Sequence, residues 1–340
     1  MKIKLYGLAL TAIISSASFC QDKKEIAALE KKYTAFTGHK KFFENDNWVM
    51  CKFSIVYKLS TAMTSKSMDK NKEVGAKVKS SSGAYAILDG ITDKDLQNIT
   101  DRVAENFIKR MKEEAGVNIS TWSSFKDSEN TKKIKESAEP DKEIYSVSQG
   151  LSYAMTYDET PYYNRIVVLV PGGKKLAKEL NKNVMEFNLY IDFAEMVATS
   201  SADVSITNRD SKYTYFSWSE SADQKMKPGV RLIPNLGSES LGEMGKNLGV
   251  TKIGGHTDLG HMFYMGLPAD LVSEKEFIET IEPVEGDIPE ILKNKRNNKM
   301  EYVKTFRVKT TPEKYGDAVV DATNMYLNDY IKIYNNNKNK

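Results

Sequence analysis

Cysteine is nearly absent from this sequence: Cys20 and Cys51 are the only two in 340 residues. Cys20 closes the N-terminal stretch "MKIKLYGLALTAIISSASFC", so a chain processed there keeps Cys51 alone and can form no internal disulfide. Cys51 lies in the apolar run "WVMCKFSIVYKL", where a buried, inert thiol is expected. Histidine is almost as scarce, with His39, His256 and His261 the full set. An excess of one charge is missing too. The formal charge is +3 and falls to +1 once Lys2 and Lys4 are removed. A dedicated nucleic-acid binder would show a concentrated basic face, so no nucleic-acid partner is expected. Past residue 20 no run approaches 18 apolar residues, which excludes a transmembrane helix as the sequence reads. HExxH, GxSxG and GxxxxGK[ST] are all absent, which removes the usual sequence support for zinc proteases, serine hydrolases and P-loop nucleotide binding.

The N-terminus carries a targeting signal. Lys2 and Lys4 form a basic start, Leu5 to Ala17 is apolar or small, and Ser18 and Cys20 occupy the −3 and −1 positions of a cut before Gln21. Simple cleavage is the preferred reading. Acylation of Cys20 is the alternative, but Ala17 and Phe19 do not make a good lipoprotein box. Either route exports the chain to the periplasm or the exterior, with outer-membrane association if Cys20 is lipidated.

Hydrophobic spacing predicts an α/β or α+β fold. Residues 21–46 have helical spacing and 48–59 alternate as a strand, whereas 60–82, rich in Ser, Thr, Lys and Met, read as a loop. "AYAIL" is a short strand. The helix after it has Thr92 as N-cap, a stripe of Leu96, Ile99, Val103, Phe107 and Met111, and Gly116 as its stop. "VNISTW" is expected to return beside "AYAIL" as a parallel neighbour. "RIVVLV" reads as a central strand. Met185, Phe187, Leu189, Ile191 and Phe193 alternate with more polar residues, which predicts a half-buried antiparallel strand. "ADVSI", "YTYFSW" and "GVRLIP" continue it as a meander, and 235–261 reads as glycine-rich loop. "EYVKTFRVK" and a helix capped by Thr310 or Thr311 close the chain. The expected organisation is a signal peptide over 1–20, an α/β region over 21–180, an antiparallel section closed by a strand and helix over 181–335, and a disordered tail over 336–340.

The parts "AYAILDGITD", the helix over 93–115, "VNISTW" and "SFKDSENTKKIKE" follow one another in a particular order. In that order and spacing, residues 84–138 resemble exported α/β domains of the TolB N-terminal and curli-secretion channel (CsgG) type. The resemblance implies a role in envelope assembly or binding, and it transfers no functional residue.

The candidate chemistry centres on "GGHTDLGH", residues 254–261. His256, Asp258 and His261 offer two imidazoles and a carboxylate, a donor set for Zn²⁺ or another divalent metal. The spacing matches no known signature, and a glycine-rich surface turn without a tightly bound metal is the preferred reading. "VLVPGGKK" reads as an ordinary strand-to-helix turn, and "YDETPYY" as a loop packed by its aromatics. The favoured function is an exported, non-catalytic binding or scaffolding protein of a bacterial envelope. It needs no cofactor, and its partner is a protein or an envelope component. One alternative is a secreted metal-dependent hydrolase working through His256, Asp258 and His261. Another is an oligomeric envelope pore or secretion subunit in which each copy lends a long hairpin; residues 185–198 read as the stretch long enough for such a strand.

Overall fold

A computed structural model describes residues 24–37, 40–71, 76–136, 143–146, 150–157, 173–210, 213–234, 251–284 and 302–339. The fold is α+β, with two mixed sheets and helices packed on one of them. The stretches 1–20, 158–163, 165–170 and 235–250, and His39, lie outside the described residues.

A helix over 24–32 leads into β1 (Thr34–Thr37), and a 3-10 turn (Lys40–Glu44) leads into β2 (Asn47–Lys58). The expected helix over 21–46 is therefore only partly formed. Tyr33 is buried against Tyr326, and the chain then turns extended to pair with a later strand. β3 (Ser60–Asn71) and β4 (Ala76–Asp89) form a long antiparallel hairpin where a loop was expected. Where it meets β8 it does so through Ser65, Ser67 and Ser82, small hydroxylic side chains that leave no apolar period of two.

The helix Asp93–Ala115 has the capping box that the sequence announces. Asp95 N–H donates to the Thr92 hydroxyl, and Thr92 N–H donates to the Asp95 carboxylate. Those bonds hold the Asp95 carboxyl below its usual range. The helix ends at Gly116 in the left-handed conformation. The strand that follows, β5 (Asn118–Ser120), pairs parallel with β2 and not with β4. The helix thus crosses from one sheet to the other, and β4 takes a different parallel neighbour near the C-terminus.

After a 3-10 turn (Trp122–Ser124) and a short helix (Glu129–Glu136) come β6 (Glu143–Ser146) and β7 (Gly150–Thr156). A helix (Gly173–Leu180) precedes β8 (Asn183–Asp210), which pairs with β9 (Tyr213–Leu232) in one hairpin. The expected meander of separate strands is two strands: "ADVSI" belongs to β8, and "YTYFSW" and "GVRL" belong to β9. The order then runs β10 (Lys252–His256), β11 (Met262–Gly266), β12 (Leu271–Val272), β13 (Ile278–Val284) and β14 (Tyr302–Thr310). The closing helix Pro312–Lys338 is capped by the Thr311 side chain and runs past residue 335, where a tail was expected to start.

The larger sheet has the order β1-β11-β10-β8-β2-β7-β6, with β9 extending β8 and β5 beside β2. The smaller has the order β13-β14-β4-β3. One face of the larger sheet receives the 93–115 and C-terminal helices. Phe53 stacks on Phe187 at 4.1 Å, and Phe107 meets Phe187 at 5.0 Å. Tyr315, Val319, Ala322, Tyr326, Tyr330 and Ile333 are all buried, as their spacing predicts. The far half of β8–β9 stacks on β3–β4 through small residues. Ser82 Oγ donates to Thr199 O at 2.8 Å, Ser65 and Ser200 hydroxyls lie 3.2 Å apart, and Ala202 N–H donates to Ser67 Oγ.

Candidate functional site

The face of the larger sheet opposite the 93–115 and C-terminal helices is apolar at one end, where Val49, Cys51 and Val184 pack with Leu176 and Ala177 of the 173–180 helix, and carries a row of polar residues beyond it. β2 and β8 run parallel, with Lys52 opposite Glu186 and Ser54 opposite Asn188. Lys58, at the end of β2, reaches Asp192 on β8. The two lysines stand six positions apart, and so do the two acids, so opposite charges meet when the strands align. All six of these side chains are buried. The strand 185–193 was expected to wet its polar side; instead both sides are covered, one by helices and one within this ionic layer.

Lys58 Nζ lies 2.6 Å from Asp192 Oδ2 and also donates to Thr61 Oγ1. The other Asp192 oxygen accepts from the Phe193 and Ala194 N–H groups, where the pairing with β9 slips. This pair therefore has a structural task at the point where β8 leaves the body. Ser54 Oγ donates to Asn188 Oδ1 at 2.7 Å.

Further along, Gly254 on β10 faces Glu186 on one side and Tyr264 of β11 on the other. Lys252 Nζ stands 3.3 Å from Glu186 Oε2 and 4.8 Å from the centre of the Tyr264 ring. Burial pushes the Lys52 ammonium down to about 8, against the opposing pull of Glu186. Burial, assisted by Glu186, raises both the Cys51 thiol and the Tyr264 hydroxyl. Cys51 is thus held as a neutral thiol, as its apolar run suggests.

The stretch 254–261 is a hairpin connection, so the expected loop is in part strand. Gly254 is required by close approach: a Cβ there would lie 2.0 Å from the Phe263 carbonyl oxygen. Gly260 has φ +82 in the turn, closed by its N–H donating to Thr257 O. His256 is buried in β10, and its Nδ1 lies 3.1 Å from Thr257 O, a bond it makes as donor. Burial lowers its pKa, which keeps the ring neutral. Asp258 is exposed and accepts from Leu259 N–H at 2.8 Å. His261 receives the turn through Thr257, its N–H donating to Thr257 Oγ1. Among the described residues no three of His, Cys, Asp and Glu stand together as a metal donor set. No described helix is long and apolar enough to cross a membrane.

Lys52, Glu186, Lys252 and Tyr264 carry the site's chemistry, yet no motif marks them. The available signal was the equal spacing of opposite charges on two strands, Lys52/Lys58 against Glu186/Asp192. No family model matches this chain, and neither a curated protein nor a solved structure matches it. The fold and site define an α+β protein of two sheets, with an ionic layer buried on the larger one and a pair of stacked hairpins leading away from it.

Proposed function

We propose that this chain is an exported protein of a bacterial envelope with a non-catalytic binding or scaffolding role, and that the stacked hairpins are its working part. The observation that carries this reading is β8. It has 28 residues, a contour of about 90 Å; it pairs with β2 over its first third, and among the described residues buried core side chains run along it only as far as Ala198. A strand that long is not needed to close the core. Two polar clusters where β8 leaves the body are structural: Lys58 and Asp192 hold the bulge, and Arg231 pairs with Glu195 and Asp270. Export is supported by the basic, apolar and small-residue pattern of residues 1–20. The test is fractionation of the native host together with a variant in which 203–220 is replaced by a two-residue turn. The expected result is a chain starting at Gln21 in the envelope fraction, whose larger complexes on sedimentation are lost in the shortened but folded variant. A cytoplasmic chain retaining residues 1–20, or unchanged complexes, refutes it.

A second reading, an oligomeric envelope pore or secretion subunit, is favoured by the strand edges. Among the described residues β3 pairs with β4 alone, and β9 pairs over 213–228 with β8 alone. Long unpaired edges are templates for strand addition, and each of these is long enough to span a bilayer as part of a closed barrel. Conductance steps in planar bilayers, abolished by the shortened hairpin, would select this reading over a soluble scaffold.

A further inference from the structure

Two buried polar groups on the ionic face lack a described partner. Lys52 keeps 9% of its surface and makes no hydrogen bond or ion pair with a described residue. The Tyr264 hydroxyl is buried with no hydrogen-bond partner. The pair flanks Glu186: β2 sets Lys52 opposite it, and Tyr264 follows on the other side across Gly254. Because Gly254 has no side chain, the Tyr264 ring closes over it; a Cβ there would stand 2.8 Å from Tyr264 Cδ1. The Lys252 ammonium sits above that ring and bonds Glu186. Lys252 keeps 13% of its side-chain surface against 2% for Glu186, so the carboxylate is the more enclosed member of that pair.

The chemistry of an occupant follows from what these groups offer. Lysine donates and cannot accept, and a phenol with no partner donates readily. Two ammonium groups face one described carboxylate, and the neighbouring His256 is kept neutral by burial. Among the described residues this leaves the Lys52 ammonium without a paired acid, an arrangement that an added anion relieves. A cation or an amine would add positive charge, whereas a small oxyanion supplies acceptors and one negative charge together. We propose that this face is a binding site for a small oxyanion, a carboxylate or a phosphate, received by the Lys52 ammonium and the Tyr264 hydroxyl beside the Lys252–Glu186 pair. The lowered proton affinity of Lys52 fits an ammonium still lacking that counter-charge.

The test is calorimetric titration of the purified chain at pH 7 in a sulfonate buffer, with inorganic phosphate in one arm, acetate in a second and chloride as control. The expected result is saturable 1:1 binding of phosphate or acetate, and the better arm identifies the head group. Lys52→Met should weaken it by about tenfold or more and Tyr264→Phe by about three- to tenfold, while Lys52→Arg retains it. Glu186→Gln should tighten it, because the repelling carboxylate is gone; a merely loosened structure would bind more weakly. Failure of both anions to bind below about 10 mM overturns the proposal. So does equal binding by Lys52→Met and Tyr264→Phe, which marks an adventitious ion only, and so does weaker binding by Glu186→Gln.

Discussion

Replacing Lys52 by Met should make this protein more stable at neutral pH, the reverse of what most core substitutions do. The ammonium is taken out of water, and its pKa falls from 10.5 to about 8 on folding. Below pH 8 it is charged in both states, and the folded state bears the whole penalty. As pH rises from 8 to 10.5 the folded chain releases the proton first, the penalty fades and stability rises. Roughly 2.5 units at about 1.4 kcal/mol per unit sets the penalty near 3 kcal/mol. Lys52→Met, similar in shape and uncharged, should recover a good part of it at pH 7. Other groups titrate nearby with the opposite sign. The Cys51 thiol is raised by burial, so above about pH 8.5 the unfolded chain loses that proton while the folded chain keeps it, and stability falls. The buried tyrosines act likewise above about pH 10. These contributions are common to both chains, so the informative quantity is the difference between them. Urea unfolding at unit steps from pH 6 to 10, in buffer free of phosphate and carboxylate, should show a gap of about 3 kcal/mol at pH 6–7 that closes towards pH 10. A variant less stable than the parent at pH 7, or a gap that does not change with pH, refutes the reasoning.

Phe107→Ala should cost about 3–5 kcal/mol, since the ring is fully buried against Phe187, and a melting temperature unchanged within about a degree would count against that packing. Gly254→Ala places a Cβ 2.0 Å from a backbone oxygen of β11; loss of more than about 3 kcal/mol, with exposure of Phe263 to quenching or exchange, is expected. Asp192→Ala strands a buried ammonium and frees two N–H groups, so it should cost about 3–5 kcal/mol, whereas Lys58→Met combined with Asp192→Leu should cost less than the single change, as a double-mutant cycle would show. Chain purified without chelator or histidine tag should carry well under one equivalent of transition metal by elemental analysis, unchanged by His256→Ala with His261→Ala; a full equivalent lost in that variant would restore the metal reading.

Local information was sufficient wherever one segment decided its own state. The helix over 93–115 was legible to both caps, because capping bonds and the stripe from Leu96 to Met111 lie within one stretch of chain. The C-terminal helix, the inert Cys51 and the β2 strand were legible for the same reason. What tertiary structure alone decided was who faces whom. The β3–β4 hairpin is a strand pair because another Ser- and Ala-rich hairpin lies against it, and a stretch that buries itself on hydroxyls shows no apolar alternation of its own. β5 left β4 for β2 because the helix between them spans two sheets, a choice made by global packing. The ionic layer has the same origin. Alternation in 185–193 told which residues share a side, but whether Glu186, Asn188 and Asp192 meet water or Lys52, Ser54 and Lys58 depends on a partner strand more than a hundred residues away. Periodicity records the two sides of a strand; only the neighbours brought to each side determine which one is wet, and here neither is.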